Sequence, residues 1–212
     1  MALVAVPLTL TAVGTLGALV AHRADRRGAY RLAKGLAPLG FVGTAIVAGA
    51  TGAAWSTLVL FGLALAACGD LALAGTGKRS FIAGMGFFAL AYALYSAAFT
   101  LRGFEPSAFT VTAPAAVFIA GAVWTLLRAH VPAALRLPIA VYLVIIGSML
   151  ATGVATAVTH RAWMLGVGVA LVVASDIAVA RERFVSHAFI NKLLGLPAYY
   201  VGQTLIALSL GQ

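Results

Sequence analysis

An all-α, polytopic transmembrane helix bundle of eight spans, with no soluble domain, is the fold this sequence predicts. Hydrophobic residues make up 63% of the 212 residues and charged residues only 9%, which leaves too little polar surface to cover a soluble globule. Mean hydropathy is +1.06. Nearly every long run is apolar and bounded by Arg, Lys, Pro or Gly, and the polar–apolar alternation that a membrane β-barrel requires is absent.

At about 20 residues per crossing, the spans fall at 2–21, 33–50, 56–75, 81–101, 110–127, 137–157, 161–180 and 191–210. The first has the length of a signal peptide but no basic segment before it, and further spans follow, so it reads as a retained helix. The 33–50 span is short and contains Lys34 near its start. Connections are brief throughout, so residues 1–212 read as one membrane domain.

Loop charge supports the count and sets an orientation. Arg23, Arg26, Arg27 and Arg31 follow the first span, Lys78 and Arg79 the third, Arg128 and Arg136 the fifth, and Arg181, Arg183 and Lys192 the seventh. The opposite side has only Arg102 and Arg161. The positive-inside rule then predicts a cell (inner) membrane protein with both termini outside and the basic loops in the cytoplasm. The net charge of +9 is scattered over these short loops, so it reads as a topology signal and not as a nucleic-acid surface. Cys68 is the sole cysteine, which excludes a disulfide within the chain.

Two of the five acidic residues, Asp70 and Asp176, lie inside apolar runs. A carboxylate there costs at least ~2.5 kcal/mol, so such residues default to functional roles. Both fall near the ends of outward-to-inward spans, in the cytoplasmic half. Lys34, Tyr142, Tyr199, Tyr200 and Gln203 open inward-to-outward spans at the same level, with Tyr92 and Tyr95 somewhat deeper. These groups can line one cavity on the cytoplasmic side. Two carboxyls sharing a low-dielectric site hold one proton between them, giving a neutral acid beside an anionic base.

Blander roles stay open for most of these residues. Lys34 can neutralise an aspartate, bind a lipid phosphate or simply snorkel. Tyrosines near span ends are often interfacial anchors. Gln203 can serve as an interhelical hydrogen bonder, and Ser175 can bond back to its own helix. The four histidines, His22, His130, His160 and His187, sit in or beside loops away from the aspartates, with no HxxxH or HExxH spacing, so no metal site is expected. A GxSxG elbow is also absent.

The ordered motifs resemble the YhhN-type lysoplasmalogenase family of integral membrane proteins. GDLAL at 69–73 is followed by FIAGMGFFALAYALY at 81–95, PIAVY at 138–142 with Met149, ASDIAVARERF at 174–184 and YYVGQTLI at 199–206. The resemblance runs from about residue 30 to the C-terminus. Two positions depart from the family pattern: Gly35 follows Lys34 where proline is usual, and Tyr92 stands where histidine is usual.

The resemblance implies hydrolysis of the vinyl-ether bond of lysoplasmalogens to a fatty aldehyde and a glycerophospho-ethanolamine or -choline, with no metal or organic cofactor. A lysophospholipid and the surrounding membrane lipids are the implied partners. Asp70 and Asp176 would divide the acid–base roles, as paired carboxyls do in glycoside hydrolysis. Lys34, Tyr92, Tyr95, Tyr142, Ser175, Tyr199 and Gln203 would contact the substrate or its water. The rival expectation is a proton-coupled transporter using the same aspartates; it calls for a polar path through both bilayer halves, whereas the outer half offers little beyond Thr152 and Thr156. A third is a structural role in which the aspartates merely pair with Lys34 or an arginine.

Overall fold

The computed structural model describes residues 2–75 and 77–212. Eight long helices appear where eight spans were expected: α1 (Ala2–Arg23), α2 (Arg27–Val47), α3 (Ala54–Leu73), α4 (Lys78–Arg102), α5 (Pro106–Leu127), α6 (Ala133–Thr159), α7 (Trp163–Phe184) and α8 (Phe189–Leu208). A 3-10 turn, Ser209–Gly211, follows α8. Among the described residues there is no strand.

Seven of the eight are long and apolar enough to cross a membrane, and the chain is an integral membrane protein on that basis. The exception is α2, whose 21 residues carry Arg27, Arg31 and Lys34. Its length of about 31 Å matches a hydrocarbon core of about 30 Å, but its charges lower its hydropathy. The helix also starts at Arg27 and not at 33, so Lys34 sits about two turns inside it. That corrects the expectation that Lys34 opens the span.

Each helix packs most extensively on its sequence partner, giving hairpins α1–α2, α3–α4, α5–α6 and α7–α8. Between hairpins, α2 meets α3 and α8, while α6 meets α4 and α7. The order α2–α3–α4–α6–α7–α8 therefore closes into a ring. Helix α1 lies outside against α2 and α8, and α5 lies outside against α6 with light contact to α7. The ring interior is filled by a column of aromatic side chains on one face of α4. Phe88, Tyr92, Tyr95 and Phe99 recur at helical spacing, with successive ring centroids 5.9, 6.3 and 6.0 Å apart.

Glycine decides how closely the hairpins approach, because lipid offers no hydrophobic drive between helices and contact must come from packing. A Cβ on Gly202 of α8 would stand 2.8 Å from the Gly168 carbonyl of α7 and 3.0 Å from the Val172 amide. At the α3–α4 contact, a Cβ on Gly69 would meet the Phe88 ring at 3.0 Å. The α5–α6 hairpin has no such seam: a Cβ on Gly147 would find its nearest neighbours at 3.9 Å, and Gly121 would find none within 4 Å. Gly202→Val is expected to force α7 and α8 apart and to destabilise the fold by about 1–3 kcal/mol, read as a lower Tm in detergent. Gly121→Val should leave the Tm within error of the parent.

Candidate active site

The N-terminal ends of α2, α4, α6 and α8 and the C-terminal ends of α3 and α7 share one end of the ring, and the polar residues collect there. Asp70, in the last turn of α3, is buried. Its Oδ1 lies 2.7 Å from Lys34 Nζ of α2, with both side chains only 4% exposed. Its Oδ2 accepts a hydrogen bond from the Tyr200 hydroxyl of α8 at 2.5 Å. Three helices thus meet on one carboxylate. Lys34 does not snorkel; it neutralises Asp70 inside the bundle.

Asp176 of α7 is half-buried, and its Oδ2 accepts a hydrogen bond from the Tyr142 hydroxyl of α6 at 2.6 Å. No cation pairs with it among the described residues. Tyr142 leans on Tyr92, with ring centroids 5.9 Å apart. The two carboxyls are therefore satisfied by different partners: one by a buried cation and a phenol, the other by a phenol alone.

Both carboxyls line a chamber of about 300 Å³ that extends to the α3–α4 and α7–α8 connections. Lys34, Ser175 and Tyr199 line it as well, and its outer end is polar, with His187 beside the charged Glu182, Arg183 and Lys192. A second cleft is narrow and apolar, running between α4, α5, α6 and α7 past Met85, Ala120, Val123, Ile146, Gly147 and Leu150. Tyr142 and Asp176 line this groove. Asp176, Leu73, Phe81, Phe88 and Val179 belong to both spaces, so Asp176 stands at the seam between a polar chamber and an apolar groove.

The remaining expected residues divide. The Tyr199 hydroxyl, although its ring faces the chamber, is committed to the Ala66 carbonyl at 2.9 Å. Tyr95 donates to Gln203 Oε1 at 2.7 Å; both are fully buried and neither lines the chamber or the groove. Among the described residues, the Tyr92 hydroxyl and Gln203 Nε2 are buried without a hydrogen-bond partner. His187 corrects the expectation that every histidine lies apart from the aspartates, because the α7–α8 connection folds back over the chamber. Among the described residues, no group of three His, Cys, Asp or Glu side chains could hold a metal ion.

Sequence reasoning passed over Tyr30, Glu182 and Arg183 as site residues, and it placed Tyr200 at the level of the site without giving it a role. A signal existed for Arg183, which follows Asp176 and Val179 at i+7 and i+4, one helical stripe. For Tyr200 there was little to read, since Tyr199 and Tyr200 are adjacent and point to different faces of α8.

The YhhN family matches residues 30–210, which takes in Lys34, Asp70, Tyr142, Asp176 and Tyr200. The chain belongs to the YhhN family. This YhhN protein is also similar to lysoplasmalogenase TMEM86A of Bos taurus, 30% identical over 160 residues that cover 73% of this chain and 65% of that protein. Lysoplasmalogenase TMEM86B of Rattus norvegicus is 30% identical over 160 residues, covering 76% of this chain and 64% of its own length. Lysoplasmalogenase TMEM86A of Homo sapiens is 28% identical over 160 residues, covering 73% and 65%. The chain thus spans about 65% of the length of these curated relatives. No solved structure matches it.

Proposed function

We propose that this YhhN protein is a membrane-embedded lipid hydrolase that cleaves the vinyl-ether bond of lysoplasmalogens, with Asp176 as the acid and Asp70 as the anion. The observation that carries this is the seam at Asp176, where a charged chamber meets an apolar groove. A lysolipid has the same division: a charged headgroup, a hydrocarbon chain and the ether bond between them. The relatives named lysoplasmalogenases give the reaction class.

Vinyl ethers resist base and open only after protonation on carbon. Asp176, with one oxygen held by Tyr142 and no cation beside it, is the group that carries a proton, since an unpaired carboxylate in an apolar setting is strongly disfavoured. It delivers that proton to the β-carbon, and the vinyl π-bond is consumed to leave an oxocarbenium ion. Asp70, anionic beside Lys34, stabilises that cation through the chamber and draws a proton from the water that adds to the α-carbon. The resulting hemiacetal collapses as its carbon–oxygen bond to glycerol breaks. Its hydroxyl proton and the one held on Asp70 are redistributed to the departing glyceryl oxygen and to Asp176, which restores both carboxyls. The sum is one vinyl ether and one water to one aldehyde and one alcohol.

Helix α2 serves in this account as the eighth crossing, which puts both termini outside and opens the chamber to the cytoplasm, following the basic loops. The chamber occupies one end of the ring, which favours a hydrolase with access from one side over the transporter alternative. The direct test is aldehyde release from a 1-alkenyl lysolipid by purified protein in detergent. Aldehyde is expected, and its absence with a folded protein would discard this substrate. The groove adds a second expectation. Ala120→Trp should block the hydrocarbon path, cutting kcat/KM for long-chain substrates about tenfold or more while sparing short-chain ones, measured over a chain-length series.

A further inference from the structure

Beyond the reaction itself, the outer end of the chamber has a charge pattern that the hydrolysis does not use. Glu182 and Lys192 form an ion pair of 2.5 Å between α7 and α8, with side chains 26% and 21% exposed. Arg183 stands beside them, its guanidinium carbon 4.9 Å from the Phe81 ring centroid. Among the described residues, Glu182 is the only acidic side chain lining the chamber other than the two aspartates.

We propose that Arg183, Lys192 and Glu182 form a headgroup subsite that selects a phosphodiester ending in a primary ammonium over one ending in trimethylammonium. This rests on the lysolipid reading above and names the headgroup for that same site.

Distances along α7 fit. Arg183 follows Asp176 by seven residues, about 10 Å along the axis and on nearly the same face. Helical side chains lean towards the N-terminus, which brings the guanidinium back towards Asp176. In a lysophospholipid, phosphorus lies five bonds from the ether oxygen and nitrogen four bonds beyond that. With the vinyl ether at Asp176, the phosphate falls to Arg183 and Lys192, and the terminal amine falls to Glu182. The ligand's two charges replace the Glu182–Lys192 pair with two new pairs, so no charge is left alone.

The selectivity follows from what the chamber offers a cation. A primary ammonium donates three N–H hydrogen bonds, and a carboxylate is their strongest acceptor. Trimethylammonium donates none and is held by open aromatic faces. Both aromatic rings towards the charged end are already covered by the protein's own cations: Phe81 by Arg183, and Tyr30 by Lys34 Nζ at 5.6 Å from its centroid. Phe88 and Tyr199 are packed edge to face on one another, 5.6 Å between centroids, at the aspartate end of the chamber. Among the described residues, no aromatic cage is left for a quaternary amine.

The test uses saturated 1-O-alkyl lysolipids, which carry the two headgroups but no vinyl bond to cleave. Binding to the purified protein is measured for the ethanolamine and choline forms, with wild type beside Glu182→Gln and Glu182→Asp. Wild type is expected to bind the ethanolamine form about tenfold more tightly or better. Glu182→Gln should bring the ratio to within about twofold by weakening that form alone, and Glu182→Asp should keep part of the preference. Equal binding of both headgroups by wild type, or an unchanged ratio in Glu182→Gln, would overturn the subsite. Because binding is read on lipids that cannot react, a protein that shows this preference yet releases no aldehyde from the alkenyl lipid would sink the hydrolysis and leave the subsite standing. Where turnover is present, the same preference should reside in KM while kcat stays level.

Discussion

Asp176→Asn should abolish aldehyde release, lowering kcat by at least the ~10²–10⁴ that a general acid contributes. Asparagine has nearly the same shape and keeps an oxygen for the Tyr142 hydroxyl, which now donates to Asp176 Oδ2 at 2.6 Å. What it lacks is the transferable proton, and an amide cannot replace a carboxylic acid in protonating carbon. Because Asp176 pairs with no cation among the described residues, its replacement strands no buried charge and the Tm should stay close to that of the parent. Loss of activity at unchanged Tm is the expected pattern. Retention of more than a tenth of the wild-type rate would remove Asp176 from the acid role.

Changes at the other carboxyl should look quite different. Asp70 and Lys34 are each 4% exposed and 2.7 Å apart, so Asp70→Asn leaves a lysine ammonium buried with no counter-charge. Breaking a buried pair from one side typically costs about 3–5 kcal/mol. Asp70→Asn and Lys34→Met, each alone, should therefore lower the Tm sharply as well as stop turnover. Replacing the pair together, Lys34→Met with Asp70→Leu, removes both charges and both desolvation penalties, and it should recover most of the lost stability. Activity should not return, because no anion then stands at the Asp70 position to hold the oxocarbenium ion or accept the water's proton. Tm and aldehyde release measured on the same four proteins separate the structural contribution of the pair from its chemical one. A stable, active double variant would make the pair purely structural.

The contrast between these two expectations explains how much of the site was legible in advance. Asp70 and Asp176 look alike in sequence: each is an acid near the end of an apolar run, preceded by a small residue. Hydropathy alone marks both as expensive and therefore as candidates, and the alternation of basic loops puts both at one level. It does not say which one has a cation. Lys34 is 36 residues from Asp70 and 142 from Asp176 along the chain, and only the α2–α3 contact within the ring assigns it to Asp70. The idea of two carboxyls sharing one proton gives way to two separately satisfied groups for the same reason.

Tyrosines show the same limit. Five were expected near the site, Tyr92 and Tyr95 somewhat deeper than the rest, but their partners depend on helix rotation. Tyr142 reaches Asp176, Tyr95 is engaged with Gln203, and Tyr199 is turned onto the α3 backbone while its neighbour Tyr200 takes Asp70. One residue along a helix is a rotation of about 100°, enough to exchange a chamber contact for a structural one.

What the sequence determined by itself is a helical membrane protein, the approximate place of each of its eight helices and the end of the bundle where polar groups gather. Those follow from transfer energies and length, which are local and nearly additive along the chain. What only the tertiary structure decided is the ring order of the helices, the pairing of Lys34 with Asp70, and the apolar groove that meets the chamber at Asp176. These depend on which helix faces meet, and that is set by close approach at sites such as Gly168 and Gly202 and by its absence between α5 and α6. Such contacts join residues far apart in the chain, so no window of the sequence contains them.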